Sequence, residues 1–371
     1  MVDKNKNKKS VVYLFGSGST QAEVSLHNTT IKLLARDIAE GILNKITRKR
    51  IKYLYEIKND LADPNIDIEQ LITLYESAGN RKYRRIASGL KKLYKDEIET
   101  RLNLLGSKKA PFSPKMLAAL IDMYEIKEID EKINGIITLN YEDLIEKAIF
   151  NVKGCIDYAI NFRNKSKQFK QNNMDIKSIP LLKLHGSFNW RNEFPVCVVD
   201  KIKIEDDVLW IPPGVEKNKN NYPFSLIWGK AKEMLNCDIL RVVGCSLNRN
   251  DWQLISLLYS TQRLNSQEKE YIIELINYSD KGEEIKKEYP YLRFNTIVDI
   301  TEVKDYIFNS FRSNPSGKSI STSMIDYLST QNSSINILDT WLKAKGENLI
   351  SKRSIAVDTN KNFFRNYIKE A

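Results

Sequence analysis

The chain has 371 residues, 42% of them hydrophobic and 28% charged, which excludes a largely disordered polypeptide. At about 150 residues per domain, it can hold one large α/β domain with an insertion or about two to three units. Lys and Arg number 58 against 47 Asp and Glu, and the +11 surplus suits an anionic partner without naming it. The two histidines, His27 and His185, exclude a multi-histidine metal site. The four cysteines, Cys155, Cys197, Cys237 and Cys245, contain no C-x-x-C pair and argue against structural zinc or a disulfide framework.

Residues 1–10 (MVDKNKNKKS) read as a basic flexible tail. The apolar run that follows, VVYLF, falls short of a bilayer span or a signal-peptide core, as does every other segment. The expectation is a soluble, cytoplasmic protein with no membrane contact. Residues 11–15 predict a buried strand that ends at Gly16. A helix is expected from Thr29, with Leu34, Ile38, Ile42 and Ile46 recurring every four residues. Asp63-Pro64-Asn65 breaks the chain. Helices then follow at 66–77, at 81–105 (Ile86, Leu90, Leu93, Ile98, Leu102) and at 114–128. The stretch of about 60–130 is therefore a helical insertion between two strand signals. Its Arg81, Lys82, Arg84, Arg85, Lys91, Lys92 and Lys95 form either a solvated face or a docking surface for an acidic partner.

A strand returns at 135–139, then a helix at 142–150 and a long polar loop at 156–180. Strands are expected at 181–184, 194–199 and 207–211, an exposed loop at 216–221 and a helix at 224–236. Strand 239–243, helix 249–264, strand 271–276, helix 281–288, strand 292–299 and helix 301–312 close the alternation. Strands alternating with helices predict an α/β fold over 11–312: a Rossmann-like, doubly wound parallel sheet with a helical insertion. Residues 313–323 are a Ser/Gly/Pro linker, and 313–371 as a whole forms a small C-terminal helical appendage, with helical patterns at 324–345 and 360–370.

Four segments follow strand signals, where open α/β sheets bind ligands. Gly16-Ser17-Gly18-Ser19-Thr20 offers either a tight turn or backbone N–H groups that approach a phosphate at a helix N-terminus. Asn140, in Thr138-Leu139-Asn140-Tyr141-Glu142-Asp143, either caps a helix, as Asp143 also could, or hydrogen-bonds a ribose hydroxyl or a water. His185, in Leu184-His185-Gly186-Ser187, is either structural or an acid/base group. Gly244-Cys245-Ser246-Leu247 is either a plain strand-turn-helix, with Asn250 or Asp251 as cap, or a phosphate or ribose contact.

In this order the four segments resemble the sirtuin superfamily. Residues 16–20 are similar to its glycine-rich nucleotide loop, 138–142 to its T-x-N-[IY]-D segment, 184–186 to its L-H-G segment and 244–247 to its G-x-S-L segment. Asn277 sits where that family has a ribose-contacting Asn. Asn140-Tyr141-Glu142-Asp143-Leu144, the run from Leu184 to Trp190, and Asp251-Trp252 resemble one zinc-less branch more closely, the NAD-hydrolysing domains of prokaryotic antiphage defence. The resemblance spans about 11–300. Glu142 replaces the family's Asp, and the four-cysteine zinc module of the protein deacylases is absent.

The resemblance implies NAD+ glycohydrolysis to nicotinamide and ADP-ribose, with NAD+ as substrate, no metal, and NAD depletion as the outcome. It implies that Asn140 orients the water or ribose and that His185 is the general base. Gly16, Ser17, Gly18, Ser19, Thr20, Gly244 and Ser246 then hold pyrophosphate and ribose, Glu142 keeps the family's acidic charge, and Asp251 and Asn277 lie on the adenosine side. Relatives pair with hexameric helicase-type ATPases or short argonautes, or form homo-oligomers. Control by assembly or by a phage-derived activator is therefore expected. Three rival readings are an NAD-dependent protein deacylase, a non-catalytic nucleotide or nucleic-acid-binding module, and a hydride-transferring Rossmann enzyme. The first lacks its zinc ligands, the second rests on the +11 charge, and the third lacks its third loop glycine. Since residues 16–20 and 244–247 carry no Lys or Arg, the basic surplus lies elsewhere.

Overall fold

A computed structural model of the chain describes residues 8–63, 67–106, 112–122, 131–153, 156–159, 179–191, 208–211, 223–268 and 270–302. Strand β1 (Lys9–Phe15) lies at the centre of a six-stranded sheet. Its order is β3-β2-β1-β6-β7-β8, with β2 Glu131–Thr138, β3 Leu181–Lys183, β6 Ile239–Val243, β7 Ile272–Asn277 and β8 Thr296–Asp299. All five pairings are parallel. The chain winds outward from β1 in one direction through β2 and β3, and in the other through β6 to β8. That is the Rossmann arrangement, with its topological switch point between β1 and β6. Register aligns Phe15 with Thr138 and with Val243, and Thr138 with Lys183, so the four motif loops emerge from one edge.

The core strands follow from their apolar runs: Val11 to Phe15 and Ile239 to Val243 are buried on both faces, as helix-covered parallel strands are. Between β1 and β2 the chain forms α1 (Ser17–His27), α2 (Ala35–Lys49), a 3-10 turn (Lys52–Ile57), α3 (Lys58–Ala62), α4 (Ile68–Ser77), α5 (Arg81–Asn103) and α6 (Met116–Asp122). The four-residue period is confirmed in α2, where Ile38, Ile42 and Ile46 are fully buried, and α2 packs on α5. After β2 come α7 (Leu144–Lys153), β4 (Gly186–Arg191), β5 (Val208–Trp210), α8 (Phe224–Met234), α9 (Trp252–Glu268) and α10 (Ser279–Glu288).

Three expectations are corrected. Helix α1 begins directly after Gly16, so Ser17 to Thr20 are its first turn, and the next helix starts at Ala35 rather than near Thr29. The buried face of α1 is Ser19, Thr20, Gln21, Glu23 and Val24, which leaves no apolar stripe for periodicity to detect. Residues 208–210 do not join the parallel sheet; they pair antiparallel with β4 in a separate two-stranded ribbon. Strand β4 itself was not apparent from the sequence, because His185-Gly186-Ser187 reads as a polar turn. The basic face of α5 is also largely engaged. Lys82, Lys91 and Lys95 pair with Glu56, Glu76 and Glu99, and the Arg85 guanidinium lies 4.7 Å from the Tyr53 ring centroid. It reads as a solvated, ion-paired face, with each pair worth little. The tail to residue 7, residues 123–130, strand 194–199 and everything from residue 303, including the linker and appendage, lie outside the described residues. Among the described residues no helix is long and apolar enough to cross a membrane.

Candidate active site

The β1–α1 turn and the loop after β6 meet backbone to backbone across the switch point. Gly16 N–H donates to Val243 O (3.0 Å) and Gly18 N–H to Gly244 O (2.7 Å). Gly244 has φ +58, and a Cβ there would lie 2.0 Å from Ser19 N, so only glycine fits. Ser19 turns back on Gly16, its N–H and Oγ–H both donating to the Gly16 carbonyl (3.0 and 2.7 Å). This corrects the expectation of an open N–H cradle: the N–H groups of Gly16, Gly18 and Ser19 hold the seam together. Of residues 16–20, only Ser17 and Thr20 line the cleft, at the positive end of α1.

The cleft holds about 160 Å³ and is lined from all the motif loops, by Ser17, Thr20, Asn140, Glu142, His185, Ser246 and Asp251 among others. Asn140 is buried. Its Nδ2 donates to the Gly16 carbonyl (3.0 Å) and to Thr20 Oγ1 (2.9 Å), and its backbone N–H donates to Thr138 Oγ1 (3.1 Å). A carbonyl can only accept, so the amide orientation is determined: both Nδ2 hydrogens face the seam, and Oδ1 is left as an acceptor for the cleft. Thr20 in turn donates to Glu142 Oε1 (2.5 Å). Asn140, Thr20 and Glu142 thus form one relay. Burial pushes the Glu142 carboxyl up from its ordinary value, opposed by the Lys183 charge and the Thr20 hydroxyl.

His185 occupies the turn between β3 and β4. Gly186 follows at φ +75, a left-handed turn position that suits glycine. The turn is pinned by Ile211 N–H on the His185 carbonyl (2.8 Å) and by Trp228 Nε1 on the Leu184 carbonyl (3.2 Å). The imidazole is 3% exposed and sits between the Tyr141 and Trp228 rings, at centroid distances of 6.1 and 6.5 Å. Its Nε2 is 3.8 Å from Asp251 Oδ1. The structure thus puts Asp251 beside the histidine, on the short 3-10 turn that leads into α9.

Ser246 is exposed and faces the cleft from a strained loop. Leu247 has φ +48, held by burial of its side chain and by Tyr289 Oη–H donating to its carbonyl (2.5 Å). Asn277 does not reach the cleft lining. Its Nδ2 donates to the Cys245 carbonyl (3.0 Å) and its Oδ1 accepts from Tyr278 N–H (2.9 Å), so it supports the Ser246 loop from below.

Sequence reasoning missed the insertion's share of the site. Asp67, Glu69, Tyr94 and Ile98, from the start of α4 and from α5, complete the lining. With Glu142 and Asp251 they make a wall carrying four carboxylates, and among the described residues no Lys or Arg joins the lining. Asp67 also caps α4, its Oδ1 accepting from Glu69 N–H (2.8 Å). Only tertiary packing brings residues 67–98 over the sheet edge. Among the described residues no group of His, Cys, Asp and Glu could hold a metal ion, and Cys237 and Cys245 are buried thiols outside any disulfide.

Residues 134–293 match the SIR2-like domain family. Two similar solved structures are point mutants of a Sir2 homologue in complex with ADP-ribose. Each is 17% identical, and the alignments cover 86% of this chain and 100% of theirs, with TM-scores of 0.41 and 0.43. None of the curated proteins matches the chain. The matched segment runs from within β2 to just before β8 and contains Asn140, His185, the 244–247 loop, Asp251 and Asn277. Over residues 134–293 the chain is therefore similar to the SIR2-like domain family, and that segment lies in a Rossmann-like sheet.

Proposed function

We propose that the chain is an NAD+ glycohydrolase that cleaves the nicotinamide–ribose bond, and that it depletes NAD in antiphage defence once a partner or self-assembly switches it on. The observation that carries this reading is the composition of the cleft. An amide acceptor (Asn140), an imidazole (His185) and the carboxylates of Asp67, Glu69, Glu142 and Asp251 surround one cavity at the switch point, with no Lys or Arg among the described residues of its lining. NAD+ carries its positive charge on the nicotinamide ring, and as the C1′–N bond breaks that charge moves to the ribose. Fixed carboxylates and dipoles in a partly dry cleft stabilise such charge.

In this reading the bonding pair leaves with nicotinamide, which departs neutral. Asn140 Oδ1 accepts a hydrogen bond from a ribose hydroxyl or from the attacking water. The water adds at C1′ and its proton passes to His185, whose Nε2 lies 3.8 Å from Asp251 Oδ1. Ser17 and Ser246 supply hydroxyls, and the α1 N-terminus its dipole, for the pyrophosphate.

The test is chromatography of NAD+ incubated with the purified chain, in each assembly state and with the products of neighbouring genes. Equal amounts of nicotinamide and ADP-ribose are expected. His185→Ala is expected to lower that release by about 10²-fold or more, within the range for general acid–base groups. Consumption of an acyl-lysine peptide with formation of acyl-ADP-ribose would instead make the chain a deacylase. Binding of ADP-ribose with no nicotinamide released in any state would make it a non-catalytic nucleotide module.

A further inference from the structure

Lys183 closes strand β3 with its side chain 0% exposed, two residues before His185. Its ammonium donates to Glu146 Oε1 on α7 (2.8 Å) and to the backbone carbonyls of Glu142 (2.6 Å) and Tyr141 (3.5 Å). Glu146 is also 0% exposed. Its Oε1 accepts from Tyr158 Oη–H (3.3 Å), and its Oε2 meets no donor among the described residues. A buried ion pair left half-satisfied is a poor source of stability, because desolvating two charges offsets most of their attraction. A methionine at 183 would fill the same space at lower cost. The ammonium does something a methionine cannot: it grips two consecutive carbonyls in the segment that follows Asn140.

We propose that Lys183 is a positioning residue that straps the Asn140–Glu142 segment to the strand leading into His185, and so sets the spacing of the two groups across the cleft. Its neighbours act the same way. Leu184 N–H donates to the Thr138 carbonyl (3.0 Å), and Phe188 N–H and Ser187 Oγ–H both donate to the Tyr141 carbonyl (2.9 Å each). Lys183 is the member of this set that reaches Glu142. Glu146 is its counter-ion and holds the ammonium in place.

The inference rests on the catalytic reading for its kinetic consequence, and its structural content is measured separately. In Lys183→Met, Glu146 is left as an unpaired buried charge, so both Tm and kcat fall. In the double variant Lys183→Met with Glu146→Gln, position 146 strands no charge and Tyr158 keeps its acceptor, while Glu142 still loses the Lys183 charge that favours its ionised form. Tm is expected to recover while kcat for nicotinamide release stays about 10²-fold below wild type, the scale of a misplaced catalytic group. KM is expected to change far less than kcat. Glu146→Gln alone strands the buried ammonium, so Tm falls, but it leaves an amide acceptor and the two carbonyl contacts to hold Lys183 and is expected to keep kcat within a few-fold. Amide hydrogen exchange gives the readout that needs no activity: residues 139–143 lose protection in the double variant while β1 and β6 keep theirs. Recovery of both kcat and exchange protection in the double variant overturns the proposal and makes Lys183 a counter-ion only. A wild-type chain that releases no nicotinamide counts against the catalytic reading, and the exchange result still decides the strap.

Discussion

Asn140→Ala is expected to lower nicotinamide release from NAD+ by about 10²–10³-fold, the scale seen when one preorganised hydrogen-bonding group is removed from a reacting centre. Two effects combine. The cleft loses its amide acceptor, and the seam loses the two Nδ2 bonds to the Gly16 carbonyl and Thr20 Oγ1. The second effect costs about 1–3 kcal/mol of stability, because the Gly16 carbonyl is left without this donor. Asn140→Asp separates them. It keeps a cleft acceptor but sets a carboxylate oxygen against the Gly16 carbonyl, so it is expected to lose at least as much stability as alanine and to recover no activity. Denaturant melts read alongside single-turnover rates check both. If Asn140→Ala retains full turnover, Oδ1 has no role in the reaction.

Gly244→Ala is expected to lose more stability than any other single methyl addition in the cleft-facing loops, about 3 kcal/mol or more. The φ of +58 strains any side chain, and the new Cβ would sit 2.0 Å from Ser19 N and 2.4 Å from the Gly18 carbonyl carbon. Neither atom can move without opening the β1–α1 seam, since Gly18 N–H is bonded to the Gly244 carbonyl itself. Gly229→Ala is the control. It lies in α8 with nothing within 4 Å of its Cβ position, and is expected to stabilise by about 0.5–1 kcal/mol through helix propensity. Chemical denaturation of both variants decides the matter. A Gly244→Ala protein as stable as wild type would falsify the account of this seam as rigid.

The residues that carry the site were legible where chemistry and chain position coincide. Asn140, His185 and Ser246 each follow a strand, and the parallel sheet brings the ends of those strands to one edge. What was not legible concerns partners. Glu142 reads as a family substitution of uncertain use, yet its longer side chain takes the Thr20 hydroxyl that the Asn140 amide also meets. Asp251 reads as a helix cap or an adenosine contact and instead faces His185. Asn277 reads as a ribose contact and instead holds the Cys245 carbonyl. Lys183 had a signal available: a lone cation inside Leu181-Leu182-Lys183-Leu184 must either find a buried partner or disrupt its strand. Glu146, on the apolar face of α7, is the matching signal.

The alternation of apolar strands with amphipathic helices by itself determined the doubly wound sheet, because burying those runs on both faces admits few architectures. It also determined that the two glycine-containing loops, 16–20 and 244–247, carry none of the basic surplus. Only the tertiary structure decided that α1 starts at Ser17, since its buried face is polar and shows no period. Only the tertiary structure decided that the glycine loop is a packing seam, and that α4 and α5 return to wall the cleft with carboxylates. Those outcomes depend on contacts between residues far apart in the chain, such as Gly18 with Gly244 and Lys183 with Glu142. Local sequence preference carries no information about such distances.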